Sequence, residues 1–359
     1  MNNRQISEGS GHSLYSKVIS LKNLFSAWAE FRQNKNNKID VQEFKFNLED
    51  NIFELHKRLK DRVWTPDEYI AFYIKDPKLR HIHKATVRDR VFNQALFRVL
   101  YQIFDPIFIF DSYSCRNGKG VHQGSKRLGE FAKKLSGNYH KPIYALKCDV
   151  RKFFDNISHE KMFSLIKRRV SDPEVLRLID LIIKSFETKP GAGLPLGNVT
   201  SQLFANVYLN ELDQFVKHQI KAKYYLRYCD DFIILHPDKK FLVESVSKIE
   251  VFLKEELDLI LHPNKIIIRH LSEGIDFLGY VTLPHFKVVR NSTKKRVLRK
   301  IKVAQDRLSK KMISEETFDH IINSYMGILK HCKGFKVEQE ILKIVPQFKL
   351  KNKDILEAK

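Results

Sequence analysis

The stretch of sequence that decides the fold, residues 224–235, reads YYLRYCDDFIIL. Two apolar and aromatic runs flank a short turn, a pattern that predicts a β-hairpin carrying Asp230 and Asp231 at its tip. A second run, residues 143–150 (IYALKCDV), predicts a strand that ends on Asp149. If this strand lies beside the hairpin, the three carboxylates meet at one edge of the sheet.

Carboxylates packed this closely repel one another unless cations lie between them, and their hard oxygen atoms suit Mg²⁺. Two such ions roughly 4 Å apart can activate a 3′-hydroxyl and stabilise a leaving pyrophosphate in one in-line displacement. The alternative is that the aspartates are ordinary turn residues, since paired aspartates also occur by chance. The neighbouring motifs decide between the two.

The composition points to a polyanionic partner. The chain has 359 residues, with 64 Lys and Arg against 42 Asp and Glu, and a formal net charge of +22. Residues 281–359 hold 19 of these basic residues and only 8 acidic ones. This balance favours nucleic acid first and an anionic membrane second. The chain has 4 widely spaced cysteines and no apolar run of the ~18 residues that a membrane span needs. We therefore expect a cytoplasmic protein without a signal peptide, a structural zinc site or a membrane contact.

The elements predicted around the hairpin give an α+β fold: an antiparallel sheet with helices on one face, followed by a helical appendage. Apolar periodicity predicts helices at 14–62, 89–109, 158–187 with a break near 172–173, 198–220, 241–258 and from about 291 onward. Besides the strands above, a hairpin is predicted at 68–83 and a strand at 265–270.

Further motifs occur in a fixed order along the chain. They are KLR (78–80), RDR (88–90), DSYSCRNGKG (111–120), DVRKFFD (149–155), GLPLGNVTSQ (193–202), YCDD (228–231), LHPNK (261–265) and GIDFLGY (274–280). Together they resemble the motifs of reverse transcriptases over roughly residues 14–310. The resemblance implies a right-hand polymerase with fingers at 1–145, an antiparallel palm at 146–285 and a helical thumb at 286–359.

The loop at 193–202 indicates which class of reverse transcriptase the chain resembles. Group II intron enzymes usually have Pro-Gln-Gly here and end the motif in Ser-Pro, whereas this chain has Leu196 before Gly197 and ends in Ser201-Gln202. An aliphatic residue and a final Ser-Gln look like the reverse transcriptases of diversity-generating retroelements. We also expect no room for maturase, endonuclease or RNase H domains after the thumb. Intron-derived and phage-defence enzymes remain as alternatives.

The resemblance implies a role for each matching residue. The metal ligands would be Asp149, Asp230, Asp231 and the Val150 carbonyl, and Lys265 would protonate the pyrophosphate. The deoxynucleotide triphosphate would meet Lys78, Arg80, Phe153, Phe154, Leu196, Gly197 and Gln202, with Phe154 as the steric gate against ribose. Nucleic-acid contacts would come from Arg88, Arg90, Arg116, Lys119, Tyr228, Gly279, Lys294, Lys295, Arg296 and Arg299.

Several of these assignments have plain structural alternatives. Phe154 could simply pack in the core, and Lys78 and Lys265 could be solvated surface lysines. The basic thumb helix could be an ordinary solvated helix, although Asp306 is the one acidic residue between 287 and 310. His81 and His83 have no partner ligands that would complete a zinc site.

The resemblance also implies the reaction and its partners. The enzyme would copy a template-repeat RNA into adenine-mutagenised cDNA from deoxynucleotide triphosphates, with two Mg²⁺ or, as a substitute, Mn²⁺. A small basic, pentameric accessory variability protein is the implied protein partner. The alternative from another class is a non-catalytic RNA-binding scaffold on the same fold, which usually loses one of the aspartates.

Overall fold

The computed structural model describes residues 13–75 and 79–346. The N-terminal part, the predicted fingers, consists of five helices and one hairpin. These elements are α1 (Leu14–Ile19), α2 (Leu21–Phe31), α3 (Ile39–Phe46), α4 (Leu48–Lys60), β1 (Ile70–Lys75), β2 (Leu79–Lys84) and α5 (Val87–Phe104). The strands pair antiparallel as predicted, and the turn between them lies outside the described residues. The Ser13, Ser20 and Thr86 side chains cap the first turns of α1, α2 and α5.

The central part contains a four-stranded antiparallel sheet. Its strands are β3 (Tyr144–Asp149), β4 (Tyr224–Tyr228), β5 (Asp231–His236) and β6 (Ile267–His270), in the order β4-β5-β3-β6. Its helices are α6 (Val121–Leu135), α7 (Phe153–Asn156), α8 (His159–Lys167), α9 (Pro173–Lys184), α10 (Val199–His218) and α11 (Lys239–Leu257). The strands and all the predicted helices of this part are confirmed, whereas α6 is an addition.

Helix α6 changes one detail of the predicted palm. Leu146 and Cys148 of β3 belong to the large core that α8–α11 complete, while Ala145 belongs to a second cluster with Leu128 and Phe131 of α6. Successive residues of a strand face opposite sides of a sheet, so an apolar run such as β3 is buried on both faces. The prediction of helices on one face only is therefore wrong, because α6 covers the other face.

The C-terminal part contains a small sheet and a helical bundle with its own core. The strands β7 (Ile275–Phe277), β8 (Tyr280–Leu283) and β9 (Phe286–Val289) pair antiparallel, and α12 (Asn291–Ser309), α13 (Glu315–Leu329) and α14 (Phe335–Ile344) follow. The core of this part includes Val297, Ile301, Phe318, Ile322 and Ile341. The boundary expected after residue 145 falls inside β3, and the one after 285 falls between the paired strands β8 and β9.

Candidate active site

The three aspartates predicted from the sequence lie at one end of the central sheet. Strand β3 pairs with β5 so that Asp149 lies opposite Asp231, and Asp230 occupies the adjoining turn. The Val150 amide donates a hydrogen bond of 3.3 Å to the Asp230 carbonyl. Cys229 makes the turn tight by adopting a left-handed backbone conformation, with φ of 54°. The alternating pairing of antiparallel strands thus brings together residues that are 81 positions apart in sequence.

The carboxylates interact electrostatically. Burial raises the pKa of Asp230 above its ordinary value, and the charge of Asp149 raises it further. Burial also raises the pKa of Asp231 to about 6, against an opposing effect of the Lys147 ammonium. A raised carboxyl pKa means that the ionised carboxylate is destabilised at this position. A bound cation would stabilise it. The oxygen donors of this edge therefore suit a divalent metal in their chemistry.

Lys265 is held against the same edge. Its Nζ atom donates to Asp149 Oδ1 over 2.5 Å, and the His262 amide donates to the Asp149 carbonyl over 2.8 Å. A short 3₁₀ helix from Pro263 to Lys265 places the ammonium there. Within the described residues, no group of three or more His, Cys, Asp or Glu side chains is arranged to hold a metal ion. In this arrangement the lysine supplies the positive charge at Asp149.

A buried ion pair supports the turn that carries Asp230, and the sequence reasoning missed it. The Arg227 guanidinium donates to both carboxylate oxygens of Asp213, over 2.6 and 2.7 Å, and a further 3.0 Å bond reaches the Cys229 carbonyl. Tyr225 donates its hydroxyl hydrogen to the same carboxylate over 2.6 Å. The sequence does contain a signal for this pair, because Arg227 lies in an apolar strand just ahead of the turn. A buried cation requires a charged or polar partner.

Two of the predicted nucleotide contacts, Arg80 and Leu196, line a cavity of about 560 Å³ between the β1–β2 hairpin and the palm. We call it the front cavity, and its lining includes Arg80, His81, His83, Lys152, Phe186 and Leu196. Phe153 and Phe154 differ in position: Phe153 is only 2% exposed and lies in the core, whereas Phe154 is half-buried. The predicted nucleotide contact therefore fits Phe154 better than Phe153, whose ring packs edge-on against it.

Gly197 and Gln202 lie on the other side of the hairpin. They line a second cavity of about 320 Å³, the rear cavity, together with Phe31, Phe72, Ile82 and Asn93. Gly197 has φ of 126°, a conformation that favours glycine, and a Cβ atom there would lie 3.4 Å from the His83 carbonyl oxygen. The His83 amide also donates to the Leu196 carbonyl over 3.2 Å. The loop is therefore fixed against β2.

Three arginines predicted to bind nucleic acid form ion pairs within the chain. Arg116 has an 8% exposed side chain and bonds Asp105 over 2.7 Å and the Ile109 carbonyl over 2.7 Å. Two more follow this pattern: Arg88 pairs with Asp67 and Asp89, and Arg90 pairs with Asp40. These carboxylates and carbonyls hold the three guanidinium groups in this structure, and the nucleic-acid contacts of Arg88, Arg90 and Arg116 stay a prediction.

The remaining nucleic-acid candidates differ in exposure. Lys119 lies 3.4 Å from the centre of the Phe110 ring, and its pKa is lowered by burial and by Arg116. Tyr228 is half-buried beside the aspartates, and Gly279 forms the bend between β7 and β8 with φ of 85°. On α12, Lys294 bonds Glu340 over 2.6 Å, Arg296 is half-buried, and Lys295 and Arg299 are exposed. Lys78 lies outside the described residues.

A comparison with protein families identifies the family to which the chain is related. Residues 74–282, more than half of the chain, match the family described as "Reverse transcriptase (RNA-dependent DNA polymerase)". The chain belongs to the reverse transcriptase family. The predicted right-hand fold is confirmed, and the division into fingers, palm and thumb stays a prediction.

The chain is similar to group II intron-encoded proteins. LtrA of Lactococcus lactis subsp. cremoris is 25% identical over 320 residues, which cover 69% of this chain and 51% of LtrA. YkfC of Escherichia coli K12 is 24% identical over 241 residues, which cover 56% of this chain and 63% of YkfC. The chain thus spans about half the length of LtrA. A solved structure of apo telomerase from Candida tropicalis matches 67% of the chain with a TM-score of 0.43 and 13% identity.

In the described part of the chain, none of the helices combines the length and the apolar character that crossing a bilayer demands.

Proposed function

We propose that this reverse transcriptase copies an RNA template into DNA from deoxynucleotide triphosphates. One observation carries the proposal: Asp149 lies opposite Asp231 and beside Asp230 at the end of the palm sheet. The net charge of +22 supplies the attraction for a polyanionic template. Intact aspartates at this edge argue against a non-catalytic RNA-binding scaffold.

Asp149, Asp230 and the Val150 carbonyl are the proposed ligands of two Mg²⁺, for which Mn²⁺ could substitute, and Asp231 supports them. When bound, such ions lower the pKa of a 3′-hydroxyl and stabilise a leaving pyrophosphate. Of the two carboxyl groups with a raised pKa, Asp230 lies in the turn and Asp231 in the strand. Asp230 therefore lies at the tip of the hairpin, where we expect the substrate to bind.

Other side chains of the site bind and orient the substrates. Phe154 would lie under the nucleotide sugar and exclude a 2′-hydroxyl by its volume. Arg80, which lines the front cavity, would offset triphosphate charge together with Lys78. Lys265 would give its proton to the pyrophosphate once its ammonium is released from Asp149. The side chain of Lys265 is 35% exposed, so it is not enclosed by the protein.

Primer extension tests the proposal. A primer annealed to an RNA template should be extended in Mg²⁺ with all four deoxynucleotides, and a chelator should stop the reaction. A protein that binds the template–primer but adds no nucleotide under any divalent cation would be the RNA-binding scaffold instead. Binding of the template–primer is measured separately, without nucleotides. Binding without extension identifies the scaffold, whereas binding with extension identifies the polymerase.

The finer assignment is a diversity-generating retroelement enzyme that makes adenine-mutagenised cDNA from a template-repeat RNA. Leu196 and the Ser201-Gln202 ending of its loop support it. The similarity to LtrA favours the group II intron-derived alternative. A basic accessory variability protein is the partner of the first assignment. The four cysteines are free thiols, which suits the cytoplasm.

An error spectrum separates the two assignments. The cDNA made from one RNA of balanced composition should carry substitutions concentrated at template adenines. Errors spread evenly over the four template bases would favour the intron-derived alternative, while leaving the polymerase activity itself intact.

A further inference from the structure

Lys147 lies two residues before Asp149 in the apolar run of β3, and it has no assigned part in the proposed reaction. Successive residues of a strand alternate between the two faces of a sheet, so Lys147 shares its face with Asp149 and with Ala145. On that face Ala145 packs in an apolar cluster with Ile275 of β7. The Lys147 side chain is half-buried. An ammonium in such surroundings requires a polar partner, because burying a charge without one costs free energy.

The backbone of β7 provides this partner. Lys147 Nζ donates a hydrogen bond of 3.1 Å to the carbonyl of Asp276, a residue 129 positions further along the chain. Asp231 lies in β5 opposite Asp149, and the Lys147 ammonium acts electrostatically on its carboxylate. A single side chain of β3 therefore joins the small C-terminal sheet to the edge that carries the aspartates.

Asp276 is held by a second cation. Its carboxylate forms an ion pair with the guanidinium of Arg290, the residue directly before α12. The Arg290 amide donates a hydrogen bond of 3.0 Å to the Gly279 carbonyl in the bend between β7 and β8. Lys147 thus holds the carbonyl of Asp276, and Arg290 holds its carboxylate. These contacts connect the bend both to β3 of the palm and to the first helix of the C-terminal bundle.

We propose that Lys147 is a positioning residue, which fixes the bend between β7 and β8 relative to the three aspartates through the Asp276 carbonyl. Gly279 in this bend is one of the predicted nucleic-acid contacts, so a primer end that meets the bend is kept at a set distance from the carboxylates. An in-line displacement tolerates little misalignment, and a shift of about 1 Å between reacting groups can cost ~100-fold in rate. The inference rests on the proposed function, because such alignment matters only to a chain that extends a primer.

Hydrogen exchange of the full chain tests the link without any reaction. Lys147→Met keeps a long unbranched side chain and removes the ammonium, so the amides of residues 275–280 should exchange about fivefold faster or more. Lys147→Arg retains a cationic donor and should restore slow exchange. Lys141→Met, at an exposed lysine before β3, removes the same charge and should leave the exchange unchanged. Unchanged exchange at 275–280 in Lys147→Met would overturn the proposal.

Primer extension on an RNA template separates positioning from binding. The basic surface is nearly the same in Lys147→Met, so the Kd for the template–primer should change by less than about twofold, while kcat should fall about 10-fold or more. Lys147→Arg should recover most of kcat, and Lys141→Met should match the wild type. A raised Kd with an unchanged kcat would show that Lys147 serves binding alone and would overturn the proposal.

A double-mutant cycle tests whether Lys147 acts through Asp276. Arg290→Met breaks the second contact and should also lower kcat. Because both cations hold one residue, their combined loss should be clearly smaller than the product of the two single losses. Losses that simply multiply would show that Lys147 acts independently of Asp276, against the proposal. Absence of extension by the wild-type chain contradicts the proposed function instead, whereas normal wild-type extension with an unchanged kcat in Lys147→Met contradicts only the positioning.

Discussion

Arg227 and Asp213 form a fully buried ion pair directly behind the turn that carries the candidate catalytic aspartates. Both side chains have 0% exposure, and two parallel hydrogen bonds join the guanidinium to the carboxylate. The remaining nitrogen of the guanidinium, Nη1, donates a hydrogen bond to the Cys229 carbonyl. The pair thus links helix α10 to the tip of the β4–β5 hairpin, so that the position of Asp230 depends on packing within the palm.

Breaking this pair should destabilise the protein strongly. Arg227→Met leaves the Asp213 carboxylate buried without a cation, and we expect the free energy of unfolding to fall by about 3–5 kcal/mol. Arg227→Met combined with Asp213→Leu should recover much of that loss, since no charge is then stranded. Denaturant unfolding measures both, and Arg269→Met, at an exposed arginine of β6, is the control. A double variant no more stable than Arg227→Met would contradict this account.

Asp230→Asn should abolish polymerisation while RNA binding persists. The substitution removes one anionic oxygen at the sheet edge and leaves the basic surface unchanged, so we expect a loss of ~100-fold or more in primer extension. Asp238→Asn, at the exposed residue before α11, is the matched control, because Asn caps a helix as well as Asp does. Activity of Asp230→Asn near that of the wild type would refute the metal assignment.

Phe154→Ala should admit ribonucleotides. Without the ring, the space under the sugar accommodates a 2′-hydroxyl, and the preference for deoxynucleotides in kcat/KM should fall by about 10-fold or more. Phe154→Tyr keeps the ring and should retain the preference. If Phe154→Ala lowers stability but leaves the sugar preference unchanged, the residue serves packing alone.

Arg116→Ala and Arg299→Ala should have opposite effects. Arg116 is buried among the Asp105 carboxylate and three backbone carbonyls, so its loss should cost about 2–4 kcal/mol of stability and leave the RNA affinity of the folded protein intact. Arg299 is exposed on α12, so its loss should weaken RNA binding and reduce the salt dependence without affecting unfolding. RNA binding at two salt concentrations and thermal unfolding are measured for both variants. Equal effects of the two substitutions on binding would contradict this prediction.

The sequence was sufficient for the elements whose apolar pattern is uninterrupted. The strand ending at Asp149 and the hairpin around Asp230 are found where the alternation predicted them. Helix α6 was not predicted, because Gly124 and Gly129 lower the helix propensity of its sequence. The structure explains the first of these glycines: a Cβ atom at Gly124 would lie 2.9 Å from Leu278. Close packing between distant segments leaves no local trace in the sequence.

Charged residues were harder to predict than strands. A motif shows that Arg88 or Arg116 is present, but it does not show which carboxylates the fold brings to it. The pairing of Arg116 with Asp105 spans 11 residues, and that of Arg90 with Asp40 spans 50. The sequence therefore indicates the chemistry of the palm better than the path of the template.

Leu196→Gln should make DNA synthesis more accurate at template adenines. Leu196 lines the front cavity, and its backbone is held to His83, so a new side chain at this position would reach the same space. Leucine packs against a nascent base pair without rewarding its geometry, whereas a glutamine amide can hydrogen-bond to it. One or two hydrogen bonds of about 1 kcal/mol each correspond to a roughly five- to thirty-fold gain in discrimination.

The effect should be largest at adenine, because its pair with thymine has fewer hydrogen bonds that enforce alignment. Sequencing of cDNA made from one RNA by the wild type, Leu196→Gln and Leu196→Met measures it. The methionine variant keeps the apolar character and the approximate volume of leucine, so its error spectrum should match that of the wild type. Equal adenine error rates in the glutamine variant, with activity retained, would mean that Leu196 only fills an apolar gap and that fidelity is set elsewhere in the site.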